Sequence, residues 1–204
     1  MKKFIKIAEL GLVSIFMIGT IMRLFELTGG GILTVLSLSA LSLFYLTFGF
    51  AIFSNIKFKK KKNKEISEKQ NPLFVIAGVI IGAVASMACS GILFKIMLWP
   101  GSGMLLFLSI VSFAIFFLIF IAIKLINKSS DSFYMKMIVR TSIFLLVVSS
   151  LYSISMNTLV DILYRKQPQY AEMMKESLAN PTDETIRIKM DVYRDSLENS
   201  RYNQ

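Results

Sequence analysis

The chain has no histidine, one cysteine and one tryptophan in 204 residues. Without histidine, and with Cys89 alone, it cannot assemble a histidine- or thiolate-based metal cluster, nor a Ser-His or Cys-His nucleophile. A lone cysteine forms no internal disulfide, so thiol usage says nothing about compartment. No glycine-rich phosphate loop precedes a lysine. The paired aspartates or zinc motif of an intramembrane protease are missing from the apolar runs. No catalysis, cofactor or metal is therefore expected. Charge is also scarce: 18% of residues are charged, where soluble domains carry about a quarter.

Apolar residues fill the gap, at 54% of the chain with a mean hydropathy of +0.62. Uncharged runs cover residues 27–56, 70–94, 96–123 and 141–160. Each matches or exceeds the roughly 20 residues that a helix needs to cross a bilayer. The expected architecture is an all-α membrane protein with five transmembrane helices at 4–22, 31–53, 72–96, 103–123 and 139–160. Met1-Lys2-Lys3 before an apolar stretch resembles a signal peptide. However, Lys6 and Glu9 interrupt it, no small-residue cleavage site follows, and a retained helix is expected.

Basic residues set the orientation. Fourteen lie on the N-terminal tip, in the 57–69 loop (seven lysines from Lys57 to Lys69) and between 124 and 140, whereas the other two short connections hold only Arg23 and Lys95. The N-terminus is thus expected inside and the tail outside. The net charge of +10 is read as anchoring to anionic lipid, not as nucleic-acid binding. The organisation expected is a first hairpin (1–56), a basic cytoplasmic loop (57–71), a second hairpin (72–127), a fifth span (128–160) and a helical tail (161–204). In the tail, Pro168 and Pro181 each suit a first helical position, with Asn180 as a cap. Ile186, Met190, Tyr193 and Leu197 form one apolar stripe that must pack on something.

Shifting the chain by 72 residues superposes the two hairpins. Gly19, Gly29, Gly31, Leu33, Leu36, Ser37, Phe44 and Leu46 recur as Gly91, Gly101, Gly103, Leu105, Leu108, Ser109, Phe116 and Leu118. Arg23 falls on Lys95. Both copies start on one side, as parallel repeats.

Within the second copy, Leu93-Phe94-Lys95-Ile96-Met97-Leu98-Trp99-Pro100-Gly101 resembles the Leu-Phe-Lys-Ile-x-His-Trp-Pro-Gly signature of the GldL family. That family supplies the ion-driven inner-membrane motor of gliding motility and type IX secretion. The resemblance implies a bacterial inner-membrane hairpin whose first helix ends at this motif. Leu98 stands where the family has histidine, and Glu26-Leu27-Thr28 replaces His-Trp-Pro in the first copy. The family's intramembrane glutamate has no counterpart in the second helix of either hairpin. Pro100 is expected to stop the third helix, Gly101 and Gly103 to let the chain reverse, and Trp99 and Lys95 to anchor at the headgroups.

Three further groups are candidates. Gly78, Gly82, Ser86 and Ser90 recur every fourth residue, a small-residue groove for another helix. Glu9 is a possible ion-path carboxylate, or a partner of Lys6 at the interface. Glu26 is placed between Arg23 and Lys95 as a bridging acid. The function expected is that of a non-catalytic scaffold or complex subunit. It would bind an envelope protein through its periplasmic tail, or another copy of itself. The alternative is a small-ion channel or motor-type subunit.

Overall fold

The computed structural model describes residues 2–25, 27–53, 72–126 and 132–202. Glu26 and the whole Lys57 to Lys69 stretch lie outside them, and with them the bridging-acid and basic-loop expectations. The described residues are all helical apart from turns. Five helices are long and apolar enough to cross a membrane: α1 (Lys2–Leu24), α2 (Gly30–Phe53), α3 (Pro72–Ile96), α4 (Ser102–Ile126) and α5 (Ser132–Ser153). Three shorter ones follow: α6 (Met156–Leu163), α7 (Pro168–Ala179) and α8 (Glu184–Tyr202).

The fifth span differs from expectation. It starts at Ser132, seven residues before 139, and stops at Ser153. A serine cap ends the run: the Ser155 hydroxyl accepts from the Thr158 amide at 3.0 Å and starts α6 afresh. Leu159, Val160 and Leu163 share one face of α6 and are buried, which makes it a surface helix and not the end of a span. The earlier start also moves Arg140 from a flank to the ninth residue of α5.

Helices pack chiefly on their chain neighbours, with α2 against α3 as the central seam. There, Gly49 faces Gly82. A Cβ built on Gly49 would lie 2.4 Å from the Gly82 Cα, so the two backbones touch. Two turns nearer the α2 start, the Ser42 hydroxyl donates to the Ser86 carbonyl at 3.1 Å. It also pairs with the hydroxyls of Ser86 and Ser90 at 2.8 and 3.1 Å. Close approach and interhelical hydrogen bonds are what hold helices together where lipid removes the hydrophobic drive. Phe144 of α5 closes the bundle, stacked on Phe113 at 5.0 Å and edge-on to Tyr45 at 5.5 Å.

The ends of α1 and α3 are built alike, 72 residues apart. The Leu27 amide donates to the Met22 carbonyl and Trp99 to Phe94, both at 2.8 Å. Gly29 and Gly101 take φ of +88° and +86°. At the end of α3 the pattern is a complete Schellman motif. Leu98 is left-handed at φ +58°, its amide donates to the Lys95 carbonyl at 3.2 Å, and the Phe94 and Trp99 rings meet at 5.2 Å. Helix α3 therefore ends because Leu98 turns left-handed, before Pro100 is reached. Gly103 has no part in the reversal: it lies inside α4 with open space around it.

The tail folds back as a small hairpin. Pro168 opens α7. Asn180, however, closes α7 and does not start α8. Asp183 caps α8 instead, accepting from the Thr185 amide at 2.9 Å, because Pro181 and Thr182 are spent on the turn. Ile186 is buried, and Tyr193 stacks on Tyr170 at 6.2 Å.

Candidate functional site

Among the described residues, one cluster of opposite charges lies within the spans. Glu9, at the third turn of α1, forms an ion pair with Arg140 of α5 through Oε1, and the Tyr45 hydroxyl of α2 donates to the same oxygen at 2.8 Å. The Arg140 guanidinium also lies over the Phe53 ring, 5.0 Å from its centroid. Tyr45 is buried, and the Glu9 side chain is only 13% exposed. Counting 1.5 Å per residue, Glu9 is about 22 Å below Leu24 and Arg140 about 20 Å below Ser153, so the two charges meet at one depth. Lys6 is exposed and is not the partner of Glu9. The sequence could not single out Arg140, because it was counted among the flanking cations.

Chemically, this cluster is a closed pair. The carboxylate is neutralised by a guanidinium and hydrogen-bonded by a phenol, both at Oε1. Removing one member of a buried pair costs about 3–5 kcal/mol because the other charge is left uncompensated, so the presence of either residue makes its partner on the other helix obligatory. On α5, Ser150 and Ser153 bond back to the Leu146 and Ser149 carbonyls of their own helix.

At the opposite end of the bundle, Arg23 and Lys95 both occupy last turns, of α1 and α3, where a cation complements the helix dipole. Arg23 Nη1 donates to Met97 Sδ at 2.6 Å, and the Tyr164 phenol faces the same guanidinium. Lys95 is 6% exposed, its stem enclosed by the bundle. Pro100 and Trp99 are exposed beside it, and Phe94 supports the indole. Over this end lies α6. Its Leu159, Val160 and Leu163, with Ala171 of α7, bury Leu98. The left-handed leucine is thus the point where tail and bundle meet, a role no sequence signal marked.

The small residues of α3 line the α2 seam: Gly82 against Gly49 with the Gly78 carbonyl adjacent, and Ser86 and Ser90 against Ser42. Cys89 is buried beside them. Among the described residues, no three histidine, cysteine or acidic side chains gather as metal ligands.

The tail carries a second apolar pair that the stripe reading passed over. Ile188 and Val192, one turn apart on α8, are 61% and 64% exposed. They flank a shallow groove lined by Met173 and Tyr193. The burial of Tyr170 within the tyrosine stack pushes its phenol above the ordinary value.

No protein-family model matches the chain, and no curated protein or solved structure matches it.

Proposed function

We propose that this chain is a non-catalytic scaffold or complex subunit of the bacterial inner membrane, with its N-terminus inside and its tail outside. In this reading the two hairpins are GldL-like copies, the 57–69 lysines hold anionic lipid, and the tail binds a protein of the envelope. The hydrogen bonds and left-handed glycines repeated at 72-residue spacing support two copies of one hairpin.

The observation that carries the tail's role is the exposed Ile188/Val192 pair beside Met173. Four basic and four acidic residues are interspersed along α8. A membrane-binding helix would gather cations around its apolar face. Mixed charge around a small apolar centre suits a protein surface instead. The Glu9–Arg140 pair favours this scaffold over the ion-conducting alternative, since a fixed guanidinium already neutralises the carboxylate that a passing cation would have to bind.

Photo-crosslinking from position 189, in the full chain within its native membrane, tests the reading. A discrete adduct should form and should be lost in Ile188→Asp/Val192→Asp, with the helix content of the tail unchanged. Absence of an adduct, or one indifferent to those substitutions, would remove the tail from partner binding.

A further inference from the structure

Two charges within the apolar spans sit 131 residues apart in sequence, one in the first span and one in the last. Each lies in a helix that is poorly provided for otherwise. The span of α1 is 11% buried inside the protein, against 56% for α3. Its packing is against α2, with a touch on α6 at the other end. The span of α5 has the lowest hydropathy of the five, 1.5 against 3.0 for α4. A lone charge within hydrocarbon opposes insertion, and a neutral hydrogen-bonded pair removes most of that opposition. The Tyr45 hydroxyl and the Phe53 ring, both from α2, complete the shell around the pair.

We propose that Glu9 and Arg140 are a co-insertion pair, through which the first and last spans make each other acceptable to the membrane. The pair cannot form before α5 is made. So α1 is a weakly held span during synthesis, and α5 is drawn in by the carboxylate already waiting beside Tyr45. The outcome is a topology set by two residues in addition to the distribution of surface lysines. It concerns α5 and therefore which face of the membrane receives the tail.

Side-specific maleimide labelling of the full chain in membranes tests this. The background is Cys89→Ser, with a reporter at Lys3→Cys for α1 or Asn157→Cys for α5. Glu9→Gln strands the cation and should carry the Asn157→Cys label to the opposite face in much of the population. Arg140→Gln strands the acid and should do the same to the Lys3→Cys label. An unpaired charge at the centre of a span corresponds to a shift on the order of 100-fold in the insertion equilibrium, an upper bound for this pair, which lies off the centre. The swap Glu9→Arg/Arg140→Glu, or the neutral pair Glu9→Gln/Arg140→Gln, should restore the wild-type sidedness. Single variants that keep wild-type sidedness while losing thermal stability would reduce the pair to a packing contact and overturn the proposal. So would singles that misinsert without rescue by either double. Sidedness is read without a tail partner, so failure here leaves the scaffold reading to its own test.

Discussion

Gly49 and Gly82 stand backbone to backbone: a Cβ on Gly82 would lie 2.6 Å from the Gly49 Cα and 2.7 Å from the Tyr45 carbonyl oxygen. Neither obstacle is the movable end of a side chain, so α2 and α3 would have to separate. Alanine at Gly82 should therefore destabilise the protein by about 1–3 kcal/mol, read from unfolding in detergent micelles. Alanine at Gly11, with nothing within 4 Å, should stabilise by roughly 0.5–1 kcal/mol through helix propensity alone. Equal effects at the two sites would mean that the seam is loose.

Leu98 combines a strained backbone with a buried side chain. The left-handed conformation costs a non-glycine residue roughly 1–2 kcal/mol, while truncating a buried leucine to alanine costs about 2–5 kcal/mol. Leu98→Ala keeps the strain and loses the packing. Leu98→Gly loses the packing and relieves the strain. The order of tail docking should be leucine, then glycine, then alanine, with the last two about 1 kcal/mol apart. Hydrogen exchange at the α6 amides measures it, and alanine outperforming glycine would contradict the left-handed geometry.

Asp183 gives the tail a pH dependence. Hydrogen bonds from the Thr185 hydroxyl and amide hold its carboxyl below the ordinary value. A depressed folded-state pKa contributes stability above the unfolded value of about 3.9 and loses it as pH falls through the folded one. The first turn of α8 should therefore fray below about pH 4, followed by amide chemical shifts of residues 184–187. Asp183→Asn, which cannot titrate, should remove that acid transition. An unchanged transition in that variant would assign it elsewhere.

The spans were legible because twenty uncharged residues admit few other readings, and four of the five begin or end within three residues of the sequence boundaries. The fifth was misplaced for a local reason. The run 141–160 is uncharged throughout, and hydropathy does not see that Ser155 can cap a new helix. The same blindness hid Arg140: a cation eight residues past a helix start looks like a flank until the start is known. Gly82 was visible from its spacing, but Gly49 and Ser42 opposite it were not, since one helix's pattern does not reveal the register of its neighbour. Leu98 carried no signal, because left-handed leucine depends on what the tail places above it.

The Ser42 contacts and the glycine crossing act jointly as a two-pin key for α2 on α3. Sliding α2 one turn toward the Ser90 end would keep a hydroxyl beside Ser42 but drive Gly49 into the side chain of Ser86. Sliding it the other way would give Gly49 a smooth seat at Gly78 but leave Ser42 between Gly82 and Ser86, with one hydroxyl to meet in place of two. The glycine crossing blocks one direction and the loss of a serine contact disfavours the other, so two featureless apolar helices acquire a preferred axial setting. The heights of both hairpin ends, with Arg23 over Met97 and Leu98 under the tail, are indexed from that one notch.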